Sequence, residues 1–270
     1  KSLLPDKLES GPDFEISAFS ESADEVGGDY YDTLRISDDQ VGLIIADVSG
    51  KGTTAAFHMS QMKGIFHSLA QQALDPKEFM IRANQALKYC LERGSFISAT
   101  YFVVDAKEKK IHYSRAGHCP VLYYCAEKSS AVYLNDKGAA LGMVRGKDYC
   151  NFVENNAIPY GEGDVMVLYT DGITEAKNPK GEEFGLERLR EDGIPLGELG
   201  PDLGGEGDRI DQDLAQGRGV GLSAEQAPPR ERLPEHDAHA EEVRALIGIA
   251  GGGLLGRHVR ELALHHSGRR

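Results

Sequence analysis

Apolar and polar positions change their period several times along this chain. Residues 14–19, Phe-Glu-Ile-Ser-Ala-Phe, alternate with period two, as a half-buried strand does. Residues 41–46, Val-Gly-Leu-Ile-Ile-Ala, form an unbroken apolar run and read as a strand buried on both faces. From Thr53 onward the period becomes helical, with Ala56, Met59, Met62, Ile65, Phe66 and Leu69 on one face and Thr53 or Thr54 as the N-cap. Asp75-Pro76 starts a second predicted helix that carries Phe79, Met80, Ala83, Leu87 and Leu91 and ends at Gly94. Short β-rich runs follow at 96–104, 110–115, 121–125, 132–134, 149–158 and 165–169, separated by Gly, Asn, Asp or Lys clusters. Two strands, two helices and then a run of strands predict an α+β fold with antiparallel sheets, not an alternating doubly wound one.

Composition changes this picture in its last third. No Phe, Tyr or Lys occurs beyond Phe184, and 15 of the 32 glycines lie in residues 191–270. The one apolar patch there, Ala245–Leu255, is interrupted by Gly251-Gly252-Gly253. Such a stretch buries little surface against its ordering entropy. The expectation is therefore a domain over residues 1–190, incomplete at its C-terminus, and an atypical Gly/Arg-rich tail over 191–270 that is disordered or poorly packed, without a strand of its own.

Charge and cysteines narrow the function classes. The formal net charge is -13, which disfavours a nucleic-acid binder and fits a carboxylate-rich site. Cys90, Cys119, Cys125 and Cys150 make no C-x-x-C pair and no zinc spacing, so free thiols in a reducing cytoplasm are expected. No apolar stretch has the length of a membrane span. The first residues, Lys1-Ser2-Leu3-Leu4-Pro5, lack an initiator Met and a signal peptide's apolar region, which suggests a piece of a longer chain.

Three acids stand where apolar runs or glycines end. Asp29 follows Gly27-Gly28, Asp47 follows the 41–46 run and precedes Val48-Ser49-Gly50, and Asp171 follows Val165–Thr170. Carboxylates converging from separate strands are the hard oxygen ligands that Mg²⁺ or Mn²⁺ prefers. Periodicity alone leaves open whether they meet, and each also reads as an ordinary turn aspartate. A nucleotide-binding loop at Ser49–Thr54 fails on spacing, because Ile45 and Gly52 stand where G-x-x-x-x-G-K-[ST] needs Gly and Ser or Thr.

Four ordered motifs carry a resemblance. They are Val26-Gly27-Gly28-Asp29-Tyr30-Tyr31-Asp32, Ala46-Asp47-Val48-Ser49-Gly50-Lys51-Gly52, Arg115-Ala116-Gly117-His118-Cys119-Pro120 and Tyr169-Thr170-Asp171-Gly172-Ile173-Thr174-Glu175-Ala176. Together they resemble the SpoIIE/RsbU-type branch of the PP2C-like (PPM) serine/threonine phosphatases, over about residues 1–190. The resemblance implies a sandwich of two antiparallel β-sheets flanked by helices. It implies two Mn²⁺ or Mg²⁺ ions in a cleft, with Asp47 shared, the Val48 carbonyl as a further ligand, and Asp29 and Asp171 on opposite sides. It implies hydrolysis of phosphoserine or phosphothreonine by a metal-activated hydroxide. The implied substrate is a phosphorylated anti-anti-sigma factor of STAS type, downstream of a sensor domain, with a homodimer as one arrangement. Lys51 is a candidate for substrate phosphate, and a solvated turn lysine is the plainer reading. His118 reads as a hydrogen-bonded turn histidine, and Asp32 as either a neighbour of the site or an exposed acid.

The chain also departs from that pattern. The family closes with a strand introduced by D-[DN]-x-T-L, whose aspartate joins Asp171, and residues 191–270 offer no such motif. A shifted reading frame near residue 190 is one explanation. Read one base later, the codons for His236–Glu242 permit Met-Thr-Leu-Met-Leu-Lys-Lys, close to the family's strand. The expectation is a phosphatase architecture with weakened activity. The alternative is a phosphatase-like module that binds a STAS-type partner without turnover.

Overall fold

The computed structural model describes residues 3–21, 28–50, 52–178, 180–192 and 244–251. Two five-stranded sheets form its centre. One sheet has the order β1 (Phe14–Glu21), β10 (Arg244–Gly251), β9 (Val165–Tyr169), β6 (Val121–Cys125) and β7 (Ser130–Leu134). The other has the order β2 (Asp29–Arg35), β3 (Gln40–Val48), β4 (Ile97–Asp105), β5 (Lys110–Ala116) and β8 (Asn156–Pro159). Every neighbouring pair is antiparallel.

The unbroken apolar run of β3 has a physical reason. Side chains alternate across a sheet, so a strand covered on both faces is apolar throughout. Val41, Leu43 and Ile45 meet Phe14, Ile16, Met166, Leu168, Ile247 and Ile249 between the two sheets. Ile44, Ala46 and Val48 face the other way, onto Met59, Met62, Phe66, Phe79, Met80 and Leu87. Those residues come from α1 (Gly52–Ala70) and α2 (Pro76–Leu87). On the outer face of the β1 sheet, Leu122, Tyr124, Val167 and Tyr169 cluster with Ile173, Phe184 and Leu189. Ile173 lies on α3 (Asp171–Thr174) and Leu189 on α4 (Gly185–Asp192). The layers are therefore helices, sheet, sheet, helices, in agreement with the sandwich the resemblance implies.

Three expectations are corrected in detail. The segment Asp29–Arg35, which reads as a glycine turn with acids, is a strand. Its Asp32 is buried, which hides the strand's apolar character. The carboxylate accepts the Tyr30 hydroxyl at 2.9 Å, and His67 Nε2 and Lys63 Nζ of α1 lie 2.9 Å and 3.5 Å from it. Asp32 therefore ties β2 to α1, away from the three candidate acids. The run at 149–158 is not one strand but a 3-10 turn (Lys147–Asn151) followed by the short β8.

The third correction concerns the missing closing strand. Arg244–Gly251 is that strand, antiparallel to β1 on one side and β9 on the other. Ile247 stands opposite Ala18 and Leu168, and Ile249 opposite Ile16 and Met166. Gly248 and the glycines that follow make the segment look weak. Yet the gap between β1 and β9 offers two edges of backbone donors and acceptors, and a strand that pairs along eight residues with β1 and five with β9 is stabilised by pairing as much as by side chains. The remaining tail, with its expected disorder or shifted frame, lies outside the described residues. Among the described residues no helix is long and apolar enough to cross a membrane. The four cysteines are free thiols.

Candidate active site

Side-chain parity carries the three acids to one end of the sandwich. On β2 and β3 the inward positions are Tyr31 and Val41, Leu43 and Ile45. The next positions with that parity are Asp29 and Asp47, and the strand register sets them opposite each other. Directly opposed residues have Cβ atoms about 5 Å apart. Asp29 is 5% exposed, whereas Asp47 is half-buried. On β9 the inward residues are Met166 and Leu168, and Thr170 comes next. Thr170 is fully buried, and its hydroxyl donates to Asp29 Oδ2 across the two sheets at 2.7 Å. Asp171 follows as the exposed first residue of α3.

The thiol of Cys119 reports the convergence. Its pKa is pushed up to about 12, first by burial, then by the charges of Asp171 and Asp47, with Asp29 adding to them against the opposing Arg115. One sulfur thus lies within electrostatic reach of all three carboxylates, and it stays a neutral thiol at physiological pH. No cysteine nucleophile is available there.

The surrounding turns are held by specific bonds. Ser49 and Phe96 pair reciprocally: the Phe96 N–H donates to Ser49 Oγ at 2.8 Å, and the Ser49 N–H donates to the Phe96 carbonyl at 3.0 Å. Ser98, opposite Asp47 on β4, sits 2.9 Å from His118 Nδ1. His118 is buried, and burial together with the Arg115 charge lowers its pKa to about 3. It is a neutral structural histidine, in keeping with the turn role. Arg115 Nε donates to the His118 carbonyl at 2.5 Å and Nη1 to the Asp136 carbonyl at 2.6 Å, which locks the loop that presents Cys119.

Gly28 decides whether a cation fits. A Cβ at this position would lie 2.8 Å from the Val48 carbonyl oxygen and 3.4 Å from Asp47 Oδ1. Glycine therefore keeps a side chain out of the space next to the Val48 carbonyl oxygen and Asp47 Oδ1. Among the described residues no group of three or more His, Cys, Asp or Glu side chains is placed to hold a metal ion. Carboxylate and carbonyl oxygens are the donor chemistry that a hard divalent cation takes, and Asp171 follows Thr170 at the end of β9 in the other sheet.

Asp29, Asp47, Val48 and Asp171 are thus placed at one end of the sandwich. Lys51 lies outside the described residues. Sequence reasoning passed over Gly28 beside the Val48 carbonyl, over Ser98, and over Thr170. The signal for Thr170 was available: it shares parity with Met166 and Leu168 and ends the inward face of β9.

A family profile described as Stage II sporulation protein E (SpoIIE) matches residues 37–215. The chain belongs to the SpoIIE family. Among curated SpoIIE-like relatives, the phosphoserine phosphatase RsbU of Bacillus subtilis (strain 168) is 30% identical over 194 residues, which cover 71% of this chain and 56% of RsbU. The chain spans about half the length of the curated relatives it matches. The solved RsbU and RsbW domains of Rv1364c from Mycobacterium tuberculosis superpose with a TM-score of 0.64 at 21% identity, over 92% of this chain and 61% of that one. The PP2C phosphatase domain of SpoIIE from Bacillus subtilis gives 0.61 at 14% identity, over 90% and 64%. At such identities the structures speak for the fold alone, and the fold is PP2C-like.

Proposed function

We propose that this SpoIIE-family domain is a metal-dependent protein serine/threonine phosphatase. The observation that carries the reading is Asp29 opposite Asp47 at one end of the sandwich, with Thr170 bonded to Asp29 and Asp171 next in the chain. Asp29, Asp47 and the Val48 carbonyl would hold one Mn²⁺ or Mg²⁺, and Asp47 with Asp171 would hold a second. When bound, such ions supply a nucleophilic water at neutral pH and offset charge on the phosphoryl oxygens. The protein's part is to fix the carboxylates on paired strands, to keep the Cys119 thiol neutral, and to hold the rim turns through the Ser49–Phe96 pair.

The substrate we propose is a phosphorylated serine or threonine on an anti-anti-sigma factor of STAS type, with an upstream sensor as regulator. The name phosphoserine phosphatase carried by RsbU supports this substrate chemistry. One observation favours the second reading, a phosphatase-like module that binds its partner with little turnover. No fourth acid motif follows Asp171, and no three-residue metal cluster stands among the described residues.

A single experiment separates the two. Hydrolysis of a phosphoserine protein of STAS type is measured against Mn²⁺ concentration for the wild-type chain and for Asp47→Asn. Mn²⁺-dependent turnover that Asp47→Asn abolishes supports the enzyme. Turnover that survives Asp47→Asn overturns the assigned site. Tight partner binding without turnover in the wild type favours the module.

A further inference from the structure

We infer that Thr170 is a positioning residue: its buried hydroxyl fixes one oxygen of the Asp29 carboxylate and so sets how that carboxylate stands beside Asp47. The inference rests on the reading of Asp29 and Asp47 as cation ligands.

Three observations carry it. First, Thr170 closes the start of α3 with extended backbone, φ -97° and ψ 161°, where a threonine normally turns its side chain back to cap the helix. No side-chain cap bond forms here. The hydroxyl goes instead to Asp29 Oδ2 at 2.7 Å, on a residue 141 positions away. A hydroxyl has one proton to donate, and Asp29 Oδ2 takes it, while the hydroxyl oxygen makes no cap bond to the first turn of α3.

Second, the bond spans the two sheets. Asp29 stands on β2, and Thr170 follows β9 in the facing sheet. Thr170 also directly precedes Asp171. One residue therefore couples the ligand pair of one sheet to the third acid of the other. Its fully buried position makes the hydroxyl's orientation a fixed property of the core.

Third, Asp29 and Asp47 are directly opposed on neighbouring strands. Like charges so placed repel, and the Thr170 hydroxyl is a directional donor that holds Asp29 against that repulsion. The charge-assisted bond occupies Oδ2 and sets the carboxylate plane. Partners that orient a metal's ligands in this way typically change affinity by roughly ten- to hundredfold when lost.

The test is a calorimetric titration of Mn²⁺ into the metal-free full chain for wild type, Thr170→Val, Thr170→Ser and Asp47→Asn. Valine keeps the shape and removes the proton; serine keeps the proton. The expected result is a Kd raised roughly ten- to hundredfold in Thr170→Val and within about threefold of wild type in Thr170→Ser. At each variant's saturating Mn²⁺, the KM for a phosphoserine peptide should stay unchanged, since Thr170 does not touch substrate. Wild-type affinity in Thr170→Val overturns the inference, and so does an equal loss in Thr170→Ser. If Thr170→Val does not fold, Thr170→Ala is titrated in its place with the same two outcomes. Asp47→Asn keeps the failures apart. Undiminished binding there sinks the cation site itself, whereas binding lost in Asp47→Asn but kept in Thr170→Val sinks only the role of Thr170.

Discussion

Ile247→Ala tests the least expected element of the fold. Ile247 is fully buried between the sheets, opposite Ala18 on β1 and Leu168 on β9. The substitution removes three carbons. At ~0.8 kcal/mol per buried methylene this forfeits about 2.4 kcal/mol of transfer free energy. The cavity left between two pleated sheets cannot close fully, which brings the loss to about 3–4 kcal/mol. That is a large share of the ~5–15 kcal/mol that holds a domain together. For a chain of this size each kcal/mol moves Tm by about 2–4 °C, so a drop of about 6–15 °C is expected. Thermal melting followed by circular dichroism measures it, with Val132→Ala as the control. Val132 lies on the edge strand β7 and is 49% exposed, so it should cost less than about 1 kcal/mol. An Ile247→Ala protein that melts within 1–2 °C of wild type, about the shift allowed by a loss under 1 kcal/mol, would mean that this strand does not sit in the core.

Two further outcomes follow from the site. Gly28→Ala should lower Mn²⁺ affinity at least about tenfold, since its methyl would press on the Val48 carbonyl oxygen at 2.8 Å; titration of the metal-free protein checks this. Buried His118 has a folded pKa near 3, below its ordinary 6.5. The unfolded chain therefore takes up that proton first, so the contribution is complete above pH 6.5 and is lost as pH falls toward 3. In urea unfolding across that window, His118→Gln should flatten the fall in stability by up to about 1.4 kcal/mol per pH unit. An unchanged slope would contradict the neutral buried state.

How much of this was legible in the chain differs by element. The period-two, unbroken apolar and helical stretches marked β1, β3 and α1 near their true bounds and α2 at its start, because each buries apolar residues; α2 stops at Leu87, short of the expected Gly94. The acids Asp29, Asp47 and Asp171 were legible as candidates because each ends an apolar run or a glycine turn. Their meeting was not. It depends on the antiparallel register of β2 with β3 and on the facing of β9 across the core, which are long-range pairings that no local pattern encodes. The strand β2 was hidden because Asp32 is buried polar, satisfied by Tyr30, with His67 and Lys63 of α1 beside it. The strand β10 was hidden because its glycines weaken every local signal, while its stabilisation comes from two waiting sheet edges. Sequence alone thus determined which residues could do chemistry and which faces had to be covered. Tertiary structure decided which carboxylates come to one end of the sandwich and which hydroxyl bonds to one of them, because those relations arise only when distant strands pair and two sheets close on one core.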